Sequence, residues 1–195
     1  MQKVPKKLGE ILVERNLVTE QQLLAALDIQ RSKKLPLGEI LVGQGYIEQD
    51  KMDAALARQY GSRLGEILIS NKMINFEKLL QAFDLQRTQA RPLGDILIEL
   101  KYVKEEDLLQ ALAKQHNLEI VDLSKYEIKP DVFGKISIDI LKRHNVMPID
   151  IKDGNLVVAT SDPEDILAIS DLEFISGLHI KLVLAPKKVI KSYLE

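Results

Sequence analysis

Residues 63–86 read RLGEILISNKMINFEKLLQAFDLQ, and three further segments of the chain repeat this 24-residue pattern. The other copies are KLGEILVERNLVTEQQLLAALDIQ (7–30), PLGEILVGQGYIEQDKMDAALARQ (36–59) and PLGDILIELKYVKEEDLLQALAKQ (92–115). We number the copies motif one to motif four in chain order. Their starts lie 29, 27 and 29 residues apart, and the two longer steps each contain a five-residue spacer, RSKKL (31–35) or RTQAR (87–91). Because the spacing alternates, the repeated unit is a pair of motifs that occurs twice.

Each motif predicts a helix, a turn and a second helix. In motif one the apolar residues recur at helical spacing; they are Ile11, Leu12, Leu17, Leu23, Leu24 and Leu27. Thr19 begins a capping-box signature for the second helix, and Asn75 is placed to cap the equivalent helix of motif three. Asn16 lies between the two helices, where a left-handed residue is expected, whereas motifs three and four carry Lys72 and Lys101 there. A hairpin of this size cannot bury an apolar face alone, so we expect the hairpins to stack.

The period disappears after Gln115, and the remaining sequence has the pattern of a small α/β unit. Residues 146–151 and 155–160 flank Lys152-Asp153-Gly154 and predict a β-hairpin, and residues 178–185 predict a further strand. Helices are predicted over 129–145 (one or two short ones), over 161–177, with Pro163 in the first turn and Gly177 at the stop, and from residue 186 onward. The predicted fold class is α+β, with tandem helical hairpins in four repeats followed by a small α/β domain that has a β-hairpin and a further strand.

The composition excludes several classes of protein. The formal net charge is -2 and 46% of the residues are hydrophobic, which is ordinary for a globular chain and does not favour DNA or RNA as a partner. No apolar run approaches the roughly 18 residues of a transmembrane helix, so no membrane insertion is expected. The chain has no cysteine, which excludes disulfides and zinc-thiolate sites.

The sequence contains few groups that could perform catalysis. His116, His144 and His179 are scattered without the spacing of metal ligands. Gly134-Lys135 is superficially similar to a phosphate-binding loop, but the preceding glycine and the following Ser or Thr of that motif are missing. No nucleophile is paired with a base. We therefore expect a protein that is not an enzyme, with no catalytic residues, no metal and no cofactor, and that does not hydrolyse nucleotides by itself.

The two ends of each motif are the remaining candidates for a function. Every motif opens with one variable residue and Leu-Gly, and closes with glutamine; the opening residues are Lys7, Pro36, Arg63 and Pro92, and the closing ones Gln30, Gln59, Gln86 and Gln115. In a single motif, the glycine would be explained by close helix packing and the glutamine by its position at a polar helix end. A binding site would use the same groups, because helix amides favour phosphate, an arginine stacks on a purine, and glutamine both donates and accepts. Two such half-sites suit a two-fold symmetric ligand with two bases and two phosphates.

The paired motifs with their five-residue spacer, the segment Thr160-Ser161-Asp162-Pro163 and DLEFISGLHIKLVLA (171–185) resemble the MshEN domain. This is the cyclic di-GMP-binding form of the N-terminal domain of type II secretion and type IV pilus assembly ATPases, the GspE and PilB family. The resemblance covers 63–195 as one complete domain. It divides the chain into an extra motif pair (1–62), a second motif pair (63–117) and a small α/β subdomain (118–195).

The resemblance implies a non-enzymatic regulatory module of such an ATPase, or a stand-alone relative, that binds cyclic di-GMP as a ligand. Its other implied partners are secretion or pilus assembly proteins, and its implied location is cytoplasmic, peripheral at the inner membrane. The alternative is a docking module that recruits the ATPase to an inner-membrane assembly protein without binding nucleotide.

The resemblance implies ligand contacts in two half-sites and in the tail. The first half-site comprises Arg63, Leu64, Gly65, Leu79, Phe83 and Gln86; the second comprises Leu93, Gly94, Asp95, Leu108, Leu112 and Gln115; the tail adds Asp162. A second candidate site comprises Lys7, Leu8, Gly9, Leu23, Leu27, Gln30, Leu37, Gly38, Glu39 and Gln59. This chain has Phe83 where the family has leucine, and Pro36 and Pro92 where a basic residue is common. Because Lys7 replaces the arginine in the extra pair, 63–115 ranks above 7–59 as the predicted site.

Overall fold

A computed structural model describes residues 7–127 and 130–195 of the chain. It divides into two compact units, Met1–Lys104 and Glu105–Glu195. The division falls inside motif four, between its two helices, whereas the sequence places subdomain boundaries at 62 and 117; those boundaries remain predictions. Residues 1–6 of the extra motif pair and Lys129, the first residue of the predicted 129–145 helices, lie outside the described residues.

The first unit consists of helical hairpins. Its helices are α1 (Leu8–Glu14), α2 (Glu20–Lys33), α3 (Leu37–Gly43), α4 (Gln49–Gln59), α5 (Arg63–Ser70), α6 (Phe76–Gln89) and α7 (Leu93–Glu99). Its core contains the fully buried Leu12, Leu41, Leu68 and Leu79, which come from the apolar stripes of the first three motifs. Residues 7–104 contain no β-strand, as the periodicity predicts.

Caps and turns follow the local sequence. Thr19 Oγ1 accepts from the Gln22 amide at 3.2 Å, and Asn75 Oδ1 accepts from the Lys78 amide at 3.0 Å, so both predicted caps are confirmed. The turn residues Asn16, Lys72 and Lys101 all adopt the left-handed conformation, with φ of 55°, 58° and 57°. The lysines adopt it because the turn is closed by the same backbone hydrogen bonds in each motif, whichever residue stands there.

The second unit packs helices against a three-stranded sheet. Its elements are α8 (Glu105–His116), a short 3₁₀ turn (Leu123–Lys125), α9 (Pro130–Phe133), α10 (Ile138–His144), β1 (Val146–Lys152), β2 (Asn155–Thr160), α11 (Ile166–Ser176), β3 (His179–Leu184) and α12 (Lys187–Leu194). Strands β1 and β2 form the predicted hairpin, and β2 pairs with β3 in parallel, with Val158 opposite Leu182. The α+β fold class is confirmed.

One predicted helix begins later than expected. Helix α11 starts at Ile166, because Asp165 Oδ1 accepts from the Ala168 amide at 2.9 Å and so acts as the N-cap. The prediction that Pro163 lies in the first turn of this helix is therefore wrong. The predicted stop is confirmed, since Gly177 ends the helix with φ of 67°.

Candidate functional site

The start of α5 presents the one arginine that opens a motif. Helix α4 ends at Gln59, and the three residues Tyr60, Gly61 and Ser62 connect it to α5. Ser62 caps α5, with its Oγ accepting from the Gly65 amide at 2.9 Å. Arg63, the first residue of α5, is exposed. The guanidinium at this helix start is therefore accessible to a ligand.

Three of the predicted ligand contacts, in the α5–α6 hairpin, are buried. A Cβ added to Gly65 would lie 2.6 Å from Leu79 Cδ2 and 2.8 Å from Ser62 Oγ, so this position has no room for a side chain. Leu79 has no exposed surface, and Leu64 is 9% exposed. The packing interpretation therefore accounts for Leu64, Gly65 and Leu79.

Helix α6 carries two half-buried phenylalanines that contact Tyr60. Leu79, Phe83 and Gln86 are spaced at i, i+4 and i+7 and lie on one face of the helix. The Phe83 ring is nearly parallel to the ring of Tyr60, at 9° and with centroids 6.1 Å apart, and the Tyr60 ring also meets Phe76 edge-on at 5.5 Å. Tyr60 is 54% exposed.

Tyr60 is not among the predicted ligand contacts, although the sequence at this position differs from that of the other motifs. Tyr60 stands three residues before the opening residue of its motif, where the other motifs carry Val4, Lys33 and Gln89. It is the only aromatic residue among these four positions, and it belongs to the motif that opens with arginine.

The repeated glutamine has a structural role in two motifs. Gln86 Nε2 donates to the Arg91 carbonyl at 3.2 Å, and Gln30 Nε2 donates to the Leu35 carbonyl at 3.1 Å. Each bond joins the end of a long helix to the residue that precedes the proline of the next motif. A repeated polar helix end therefore does have a packing reason in motifs one and three, and does not by itself indicate a ligand.

Glu66, which the sequence analysis did not select, is held by two arginines. Its carboxylate forms an ion pair with Arg15 of motif one, and Arg58 Nη1 of motif two lies 3.6 Å from its Oε2. The Glu66 side chain is only 14% exposed. The acidic residue after Leu-Gly thus stabilises the contact among three motifs here, and the same position carries the predicted Glu39 and Asp95 in motifs two and four.

The other predicted contacts are divided between the units. In the first unit, Gly94 is buried and Leu93 and Asp95 are half-buried at the start of α7. In the second unit, Leu108 and Leu112 are each 7% exposed on α8.

Within the second unit the structure brings Gln115 and Asp162 to the same residue. Gln115 Nε2 donates to Glu164 Oε1 at 2.8 Å, and the Glu164 amide donates to Asp162 Oδ1 at 3.1 Å. These two predicted contacts, which are 47 residues apart in sequence, are therefore neighbours in the fold.

The residues of the second candidate site are less buried. Lys7 and Glu39 are exposed, and the half-buried members are Leu8, Gly9, Leu23, Leu27, Gln30, Leu37, Gly38 and Gln59. Gly9 has slightly more room than Gly65, because an added Cβ would lie 3.1 Å from Leu23 Cδ2. Motif one therefore forms the same hairpin with looser packing.

Over 7–127 and 130–195, no group of three or more His, Asp or Glu side chains is arranged to hold a metal ion. None of the helices in these two segments combines the length and apolarity needed to cross a bilayer.

Comparisons with known proteins place this geometry among relatives. The family model of the MshEN domain matches residues 116–195. The type IV pilus assembly ATPase PilB of Myxococcus xanthus is 29% identical over 133 residues, which are 68% of this chain and 24% of that protein. The chain thus spans about a quarter of the length of this relative.

Two solved structures are similar to the fold. A structure of MshE with cdg is 30% identical, with a TM-score of 0.62 and coverage of 68% of this chain and 96% of that chain. The N-terminal domain of XpsE is 24% identical, with a TM-score of 0.59 and coverage of 68% and 91%.

Proposed function

The chain belongs to the MshEN domain family, and from this membership we propose that it is a non-enzymatic regulatory module that binds cyclic di-GMP. The observation that carries the proposal is the match to MshE with cdg, which extends over nearly all of that structure. We further propose that the module belongs to a type II secretion or type IV pilus ATPase, or to a stand-alone relative, as the similarity to PilB supports.

The accessible part of the first half-site consists of Arg63, Phe83 and Gln86. A planar, weakly hydrated guanidinium stacks on a guanine base and attracts a phosphate, so we assign Arg63 the largest contribution to binding. The buried Leu64, Gly65 and Leu79 act as the support that holds Arg63 and α6 in place.

We also propose ligand contacts at the remaining positions that match the family. In the first unit these are Leu93, Gly94 and Asp95, and in the second unit Leu108, Leu112, Gln115 and Asp162. Arg63, with its exposed side chain in the first unit, is the residue chosen for mutation.

Isothermal titration of the purified chain with cyclic di-GMP tests the proposal. We expect Arg63→Ala to weaken binding about tenfold, which corresponds to about 1.4 kcal/mol, and Lys7→Ala to have a smaller effect, because lysine is a hydrated point charge that stacks poorly. Lys7 is the matched control, since it opens motif one as Arg63 opens motif three.

Two results would contradict this assignment in different ways. Failure of the unmodified chain to bind cyclic di-GMP would reject the function. Loss of binding in Lys7→Ala together with unchanged binding in Arg63→Ala would keep the function and move the site to the extra motif pair.

One surface of the second unit favours docking as a second function. Leu167 and Phe174 lie seven residues apart on the same face of α11 and are 75% and 90% exposed, and Ile166 beside them is 73% exposed. Contiguous apolar surface of this kind marks sites of protein association. Asp171, four residues after Leu167, lies on the same face of α11 and is near His144 Nε2, at 3.2 Å, and Glu164 lies just before the helix.

The acidic residues near this face indicate which charge the proposed partner carries. We propose that it receives an amphipathic helix of an inner-membrane assembly protein, with apolar anchors bordered by lysine or arginine, because acidic borders attract a basic rim. Phe174→Ser should weaken binding of the purified cytoplasmic part of that assembly protein at least about tenfold. Ile138→Ser, at a residue 37% exposed on α10, is the control. Equal binding by the Phe174 variant and the unmodified chain would exclude this face.

A further inference from the structure

We propose that Tyr60 is a base-stacking residue of the motif-three half-site, where its ring takes the flat face of a purine. This inference rests on the proposed function and deepens it, because it identifies a contact outside the repeated motif. Arg63, three residues later, supplies the cation at the same end of α5. The ligand class is a guanine-containing nucleotide.

The backbone holds Tyr60 in place before any ligand binds. The Tyr60 amide donates to the Leu56 carbonyl at 3.0 Å, and the Ser62 amide donates to the Ala57 carbonyl at 3.0 Å. Gly61 between them has φ of 81°, a conformation that glycine adopts without strain. Backbone hydrogen bonds thus hold the first and last residues of the three-residue connection. The backbone at Tyr60 therefore needs little further ordering when a base binds.

Two phenylalanines support the ring. Phe83 lies nearly parallel to it, and Phe76 meets it at 68°, so the rings of α6 restrict the Tyr60 side chain from two directions. Tyr60 nevertheless keeps 54% of its surface exposed, a large value for an aromatic residue that is packed in this way. A ring that two neighbouring rings hold and that is still about half exposed is suited to stack on a flat ligand.

The chemistry of the surroundings favours a purine over a bare phosphate. An aromatic ring offers no charge to an anion, but its face stacks on any nucleobase. The aromatic pair is also particular to this motif: Leu27, Leu56 and Leu112 occupy the position of Phe83, and Val4, Lys33 and Gln89 occupy that of Tyr60. The aromatic pair and the opening arginine therefore occur in the same motif. These three residues distinguish motif three from the others.

Titration calorimetry of Tyr60→Leu and Tyr60→Phe with cyclic di-GMP separates stacking from simple packing. Tyr60→Phe keeps the ring and should bind within about twofold of the unmodified chain, whereas Tyr60→Leu should bind about tenfold more weakly, a change of about 1.4 kcal/mol. A melting curve of each variant confirms that it is folded.

A fluorescent reporter detects the stacking directly. The chain has no tryptophan, so Tyr60→Trp introduces a single indole at the proposed contact. We expect its emission to be quenched in proportion to bound cyclic di-GMP, because a base stacks on the indole face. Tyr193→Trp is the matched control, since Tyr193 on α12 is 41% exposed and is not part of the proposed half-site. Its emission should not change.

The outcomes distinguish the inference from the function on which it rests. If the unmodified chain does not bind cyclic di-GMP, both are rejected. If the unmodified chain binds, Tyr60→Leu binds equally well and the indole at position 60 is not quenched, only the role of Tyr60 is rejected. Weaker binding by Tyr60→Leu together with quenching at position 60 supports it.

Discussion

Motifs one and three share 10 of 24 residues and form the same hairpin in the same unit, yet they pack differently. An added Cβ at Gly65 would lie 2.6 Å from Leu79, whereas the equivalent distance from Gly9 to Leu23 is 3.1 Å. Leu79 is fully buried and Leu23 only half-buried. The repeated pattern therefore determines that a hairpin forms, but it does not determine how closely the two helices of the hairpin pack.

The exposed ends of the two hairpins differ more than their backbones do. Motif three presents Arg63 and the aromatic pair of Tyr60 and Phe83, whereas motif one presents Lys7 and Leu27 at the corresponding positions. Two of these differences, Lys7 to Arg63 and Leu27 to Phe83, replace a flexible cation with a planar one and an aliphatic side chain with an aromatic ring, and the third gives Tyr60 where the sequence of motif one has Val4. A duplicated fold can thus keep its core while the side chains at its ends, and with them the proposed ligand contacts, change from one copy to the other.

The comparison of packing predicts that Gly65→Ala costs more stability than Gly9→Ala. The new methyl group at position 65 must displace Leu79 or the capping Ser62, so we expect a loss of about 1–3 kcal/mol in the free energy of unfolding. At position 9 the half-buried Leu23 can move, and we expect a change below about 1 kcal/mol. Urea denaturation measures both. Equal losses would show that the two hairpins are packed alike.

A smaller effect is expected where motif one contacts motif three. Arg15→Ala removes the ion pair with Glu66 and should cost about 0.2–1 kcal/mol at low salt, because Arg58 still faces the carboxylate, and somewhat less at high salt, because the Arg15 side chain is 40% exposed. Arg31→Ala is the control, since Arg31 pairs with Asp28 but both side chains are at least 75% exposed. A loss for Arg15→Ala that does not change with salt would mean that packing, and not charge, joins the two motifs.

Local signals predicted the elements, their caps and most of their ends. Thr19 and Asn75 cap the helices that directly follow them, and the strands around Lys152-Asp153-Gly154 pair through a tight turn, so the relevant interactions lie within a few residues. The misplaced start of α11 is also a local matter, because Asp165 and Pro163 are competing start signals only two residues apart.

The candidate site was predictable only in part. The resemblance to the family implies Arg63 and Gln86 as ligand contacts, which remain a prediction, and the pattern alone could not show that Gln86 donates to the Arg91 carbonyl. It also could not separate the buried Leu79 from the half-buried Phe83, because both occupy apolar positions of the same helix face.

The sequence by itself determined the eight helices of the four motifs, the elements of the α/β tail and the family, because helical periodicity, caps and tight turns act over short distances along the chain. Only the tertiary structure decided that Glu66 meets Arg15, that Tyr60 lies against Phe83, and that β3 adds in parallel beside β2. Each of these contacts joins residues more than 20 positions apart, and its partners are selected by how the helices and strands pack, which no local pattern records.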